Sequence, residues 1–61
     1  MRQLPFKSES QRRIGEFLIE MNILSFEQVL SILLSESIPE QLQNSVIEKG
    51  ITLSQLNDLT N

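Results

Sequence analysis

Leu18-Ile19-Glu20-Met21-Asn22-Ile23-Leu24-Ser25-Phe26-Glu27-Gln28-Val29 reads much like Val46-Ile47-Glu48-Lys49-Gly50-Ile51-Thr52-Leu53-Ser54-Gln55-Leu56. In each stretch two aliphatic residues stand shortly before an Asn or a Gly. One or two apolar residues follow, and then a Ser or Thr stands three positions ahead of a Gln. Asn and Gly tolerate the left-handed backbone that commonly ends a helix. A Ser or Thr three residues before Gln or Glu can satisfy two orphaned backbone donors reciprocally at a helix start. Each stretch therefore reads as helix, tight turn, cap, helix, with the second turn one residue shorter. A helical hairpin of this kind cannot bury its own apolar face, so two copies packed together are expected.

Outward from these stretches the same cap spacing recurs at Ser8/Gln11 and Ser37/Glu40, which makes four helix starts. Behind Ser8, Ile14, Phe17, Leu18 and Met21 fall at i, i+3, i+4 and i+7, one face of a helix, with Glu16 and Glu20 on the wet side. Behind Ser25, Phe26, Val29, Leu30 and Leu33 form a stripe that Ile32 and Leu34 widen. The run 35–39 breaks this second helix, because Pro39 fits only a first turn. A third helix is expected from about Pro39 to Lys49 with Leu42, Val46 and Ile47 inward, and Gly50 just past its end. Thr52 opens a last helix with Leu53, Leu56 and Leu59 on one side. Sustained period-two alternation is missing, so strands are not expected. The expected fold is all-α: four short helices as two helical hairpins, about 8–34 and 37–60, in one domain over 8–61, preceded by a flexible basic arm over 1–7.

Sixty-one residues allow one domain. A chain of about 60 residues buries only roughly 60% of the surface its unfolded form exposes, so an isolated monomer has little stability to spare. Short chains usually add disulfides, a metal or a partner. Cys and His are both missing, which leaves a partner, either another protein or a second copy in a homo-oligomer. The same omission removes Cys nucleophiles and every Ser–His or Cys–His pair. With no room for an enclosing cleft either, the chain reads as non-enzymatic and without a cofactor. The longest apolar run is Ile32-Leu33-Leu34, far short of the 18 or so residues a membrane span needs. No apolar run follows the N-terminal charges either, so a cytoplasmic location is the expectation.

The net charge of −3 is unevenly spread. Residues 1–13 carry Arg2, Lys7, Arg12 and Arg13 against Glu9, a balance of +3, whereas residues 14–61 carry Lys49 against seven acids, a balance of −6. This is either a solvated tail before an acidic domain or a basic arm for a phosphate or an acidic protein surface. An acidic body repels nucleic acid. A recognition helix over 40–49 would offer Glu40, Gln41, Gln43, Asn44 and Glu48 with Lys49 its one cation, so helix-turn-helix DNA binding is disfavoured.

The run Arg13-Ile14-Gly15-Glu16-Phe17-Leu18-Ile19-Glu20-Met21-Asn22-Ile23-Leu24-Ser25-Phe26-Glu27-Gln28-Val29-Leu30 resembles the N-terminal domain of type II secretion and type IV pilus assembly ATPases. That family's pattern is Arg-Leu-Gly, two variable residues, two aliphatics, two variable residues, Gly, two aliphatics and a capped helix. The likeness covers residues 12–34 well and 41–59 loosely. The chain is also similar to short cyanobacterial proteins of unknown function with the same two-hairpin pattern. Some of the ATPases bind cyclic di-GMP through tandem copies of the motif. The resemblance therefore implies a phosphate or guanine contact for Arg13, a close approach of ligand at Gly15, and apolar packing from Ile14 and Leu18. Arg has the planar fork and stacking face such a contact uses. Asn22 stands where the pattern has Gly, and Gln41-Leu42-Gln43 where a second Arg-Leu-Gly belongs, so half of a tandem site is missing.

Each of these residues also has a purely structural reading. Gly15 can mark close helix packing, since an interior Gly costs up to about 1 kcal/mol against Ala. Arg12 and Arg13 can be surface charges paired with Glu9, Glu16 or Glu20 at helical spacing. Phe17 and Phe26 are assigned to the core. Phe6, beside Pro5, either staples onto the first helix or docks into a partner. The leading expectation is a protein-interaction module, an adaptor or regulator, with Phe6, Arg12, Arg13, Ile19, Ile23 and Leu34 as candidate partner-binding residues.

Overall fold

A computed structural model describes residues 3–60, so Met1, Arg2 and Asn61 lie outside the described residues, including the Arg2 charge of the expected arm. The chain forms α1 (Glu9–Glu20), α2 (Phe26–Ser35), α3 (Glu40–Glu48) and α4 (Leu53–Thr60), with no strand among the described residues. No helix of the described residues is long and apolar enough to cross a membrane.

Two of the expected capping boxes close in both directions. The Ser25 Oγ accepts from the Gln28 N–H (3.1 Å) while the Gln28 Oε1 accepts from the Ser25 N–H (2.8 Å). Thr52 and Gln55 exchange the equivalent bonds at 3.2 and 2.9 Å. At Ser8 only half the box forms. Its Oγ accepts from the Gln11 N–H (3.1 Å), but the Gln11 side chain turns away to other partners. Ser37 is a correction, since it caps nothing. The helix begins at Glu40 with Pro39 in the cap position and no side-chain cap bond, which leaves Ser37 two residues outside.

The repeated turns are the same device used twice. Asn22 (φ +59°) donates to the Ile19 carbonyl (3.0 Å) and Ile23 to the Leu18 carbonyl (2.9 Å). Gly50 (φ +99°) donates to Ile47 (3.0 Å) and Ile51 to Val46 (3.3 Å). Both are Schellman turns, in which a left-handed residue lets the chain fold back on the last helical carbonyls. Burial repeats with them. Leu18 and its counterpart Val46 are fully buried, and the matched pairs Val29 and Leu56, and Ile32 and Leu59, are all buried. Leu24 and Ile51 plug the core just after each turn, so the extra residue of the first turn is the half-buried Ile23.

The halves interlock unequally. α1 packs most extensively along α4, and α2 touches both, whereas α3 is the most loosely attached. α3 supplies one fully buried side chain, Val46, from a largely polar sequence. Five apolar positions expected to point inward differ. Phe17 is 43% exposed, Met21, Ile47 and Leu53 are exposed, and Leu34 is 71% exposed. The buried arc of α1 is instead Gln11, Ile14, Gly15 and Leu18, because the chain before Ser8 covers the Gly15 side and leaves Phe17 at the edge. Leu53 opens α4, where a side chain leans back beyond the helix start and away from the core.

Candidate functional site

The segment expected as a flexible arm is laid against the bundle from Leu4 onward. The Phe6 N–H donates to the Leu4 carbonyl (2.9 Å), a three-residue turn whose centre, Pro5, has the fixed φ that such a turn uses. Leu4 and Phe6 pack against the core. Phe6 lies on Gly15 so closely that a Cβ there would sit 2.5 Å from its Cε1 and 2.8 Å from its Cζ. The Lys7 N–H donates to the Gln11 Oε1 (2.6 Å), and the Lys7 ammonium pairs with Glu36 at the end of α2 (2.5 Å). Hydrogen bonding to Lys7 holds the Glu36 carboxyl below its ordinary pKa.

Gln11 is the one buried polar side chain among the described residues. Its Nε2 donates to the Leu59 carbonyl (2.8 Å), so one amide joins the arm, α1 and the last turn of α4. In the sequence Gln11 counts only as a capping-box partner, and nothing local announces a bond to a residue 48 positions away.

Between the docked arm, the flank of α1 and the start of α2 runs an open groove of about 690 Å³. Leu4, Phe6, Ile19 and Phe26 give it apolar walls, Gln3 also lines it, and Arg12, Glu16 and Glu20 stand along α1. The Arg12 guanidinium is held through Nε and Nη2 by Glu9 and through Nη1 by Glu16 (2.8 Å). This contact lowers the pKa of Glu9, first through its hydrogen bond to Arg12, and raises that of Arg12.

Of the candidate partner-binding residues, the groove brings together Phe6, Arg12 and Ile19. Ile23 is spent on the first turn, packed against the core, and Leu34 lies apart near the end of α2. Arg13 stands across α1 in a smaller depression with Ser10, Ile14, Phe17, Gln55 and Asp58, its Nε 3.5 Å from Glu9. The two nucleotide contacts implied by the family resemblance, Arg13 and Gly15, thus do not face one site: Phe6 occupies the approach to Gly15, and Ile14 and Leu18 are core. Leu4, Glu16, Glu20 and Phe26 were not singled out from the sequence as site residues. A signal was present, since positions 12, 16, 19 and 20 follow i, i+4, i+7 and i+8, a second face of α1 with one apolar residue among charges.

No family model matches the sequence, and neither the curated proteins nor the solved structures yield a match.

Proposed function

We propose that this chain is a small non-catalytic protein-interaction module, an adaptor or regulator that holds a segment of a partner protein in the groove beside α1. The observation that carries the reading is the groove itself, with four apolar side chains at its walls and charges along one edge. A concave apolar surface with a polar rim is what helix-in-groove recognition uses. The surface is also built rather than incidental. Its arm wall is fixed by the Phe6–Gly15 contact and by two bonds from Lys7, so little ordering is left for binding to oppose.

Affinity capture from the source cell with the wild-type chain and with Ile19→Asp tests the reading. Ile19 is half-buried with part of its side chain against the core, so the comparison is made at a temperature where the variant's helical circular dichroism matches that of the wild type. A protein retained by the wild type and lost from Ile19→Asp supports groove binding. Equal retention by both baits, or none by either, removes the proposal.

A further inference from the structure

The groove's charges narrow the chemistry of what it takes, on the reading that the groove is the docking site. Arg12 is the one cation lining it among the described residues, and its guanidinium is already divided between Glu9 and Glu16. Glu20, one turn beyond Glu16, makes no ion pair among the described residues. One guanidinium against two carboxylates leaves the lining at −1 among the described residues, on a body whose residues 14–61 sum to −6. An occupant covering this edge strips water from Glu16 and Glu20, which is favourable only if it returns hydrogen-bond donors of positive charge. An acidic or phosphate-bearing occupant meets like charge, and a wholly apolar one leaves the Glu20 carboxylate uncompensated, since Glu16 keeps Arg12.

We infer that the groove binds a short amphipathic protein segment whose apolar side chains are flanked by Arg or Lys. The α1 edge from Arg12 to Glu20 spans about 12 Å at the helical rise, room for about two turns of a partner helix. Two apolar anchors one turn apart meet Ile19, Phe26 and the Leu4–Phe6 wall, and a basic residue beside them reaches Glu16 or Glu20.

A random peptide library displayed on phage, selected on the full chain and counter-selected on Ile19→Asp, tests this. The expected pool is enriched in Arg or Lys next to aliphatic or aromatic residues. A synthetic peptide from it should bind roughly tenfold more weakly when Glu16→Lys and Glu20→Lys are combined, with circular dichroism unchanged. A pool that needs Ile19 but is neutral or acidic overturns the charge inference and leaves the groove standing. A basic pool indifferent to Ile19 is drawn by the acidic body as a whole and overturns the inference. No Ile19-dependent pool at all overturns this inference and the docking site together.

Discussion

Replacing Gly15 with alanine is expected to change the sign of its effect with the residue at position 6. In an otherwise open helix interior, Gly to Ala stabilises by about 1 kcal/mol. Here the new Cβ falls 2.5 and 2.8 Å from two ring carbons of Phe6, against an ordinary carbon contact of about 3.5–4.0 Å, so the ring must retreat by about 1 Å or leave. Full burial of a Phe side chain contributes about 1.5–3 kcal/mol, and overpacking a fixed site costs about 1–3 kcal/mol. Phe6 is half-buried and anchored through Lys7, so the penalty should be about 2 kcal/mol and outweigh the helix gain. Gly15→Ala alone is then destabilising by about 1 kcal/mol. In a Phe6→Ala background the clash is gone, Leu59 Cδ1 at 3.6 Å is an ordinary neighbour, and the same change should stabilise by about 1 kcal/mol. The coupling, about 2 kcal/mol, is measurable by urea denaturation followed by far-UV circular dichroism, and each 1 kcal/mol should move the melting temperature by roughly 4–8 °C. Equal effects of Gly15→Ala in both backgrounds would falsify the docked arm.

The two turns give opposite expectations. Gly50→Ala has space for its methyl but inherits φ +99°, so it should lose about 1–2 kcal/mol, whereas Asn22→Gly should gain a few tenths up to about 1 kcal/mol; denaturation midpoints that do not separate in this order refute the paired Schellman turns. Gln11→Ala leaves the Leu59 carbonyl without its donor and should cost about 1–3 kcal/mol. Gln11→Glu sets a carboxylate against that carbonyl, which raises its folded-state pKa, so its loss should be full at neutral pH and shrink as pH falls through the raised value; a pH-independent loss contradicts the bond. In the wild type, Glu36 and Glu9 have depressed folded-state pKa values. Their stabilisation is therefore present above the ordinary value of 4.5 and disappears as pH falls through the folded values. Melting temperatures measured down the pH scale should drop in that acid window, less so in Glu36→Gln and less in high salt, and identical profiles for wild type and variant count against the Lys7–Glu36 contact.

The parts of the fold legible in the sequence are those encoded by neighbours in the chain. Cap spacing located three helix starts because a Ser or Thr hydroxyl and the N–H it satisfies are three residues apart wherever the rest of the protein lies. Asn22 and Gly50 located two turns because left-handed backbone is a property of one residue. The inward positions were less legible. Phe17 lies on the expected α1 stripe and Gly15 beside it, and only the arrival of Phe6 from outside the helix decides that the Gly15 side is covered and the Phe17 side is not. Gln11 shows the same limit, since the cap spacing names a local partner while the side chain finds a distant carbonyl. The groove stayed hidden for this reason: its walls come from three segments, and no single periodicity contains Leu4, Ile19 and Phe26 together.

The same contact that closes the fold also shapes the site, and this constrains how the chain can vary. Phe6 both covers Gly15 and lines the groove, so a side chain at position 15 should alter stability and binding together. Glu16 and Glu20 line the groove from exposed positions, so changes there should alter binding with little effect on stability. The distinction separates two accounts of Gly15. If its role is only to admit the arm, then Phe6→Ala together with Gly15→Ala recovers stability but leaves the groove without its arm wall, and binding stays weak. If Gly15 instead met a ligand directly, removing Phe6 would uncover that surface and strengthen binding. A bound segment's affinity in the Phe6→Ala background therefore carries the sign that decides between them.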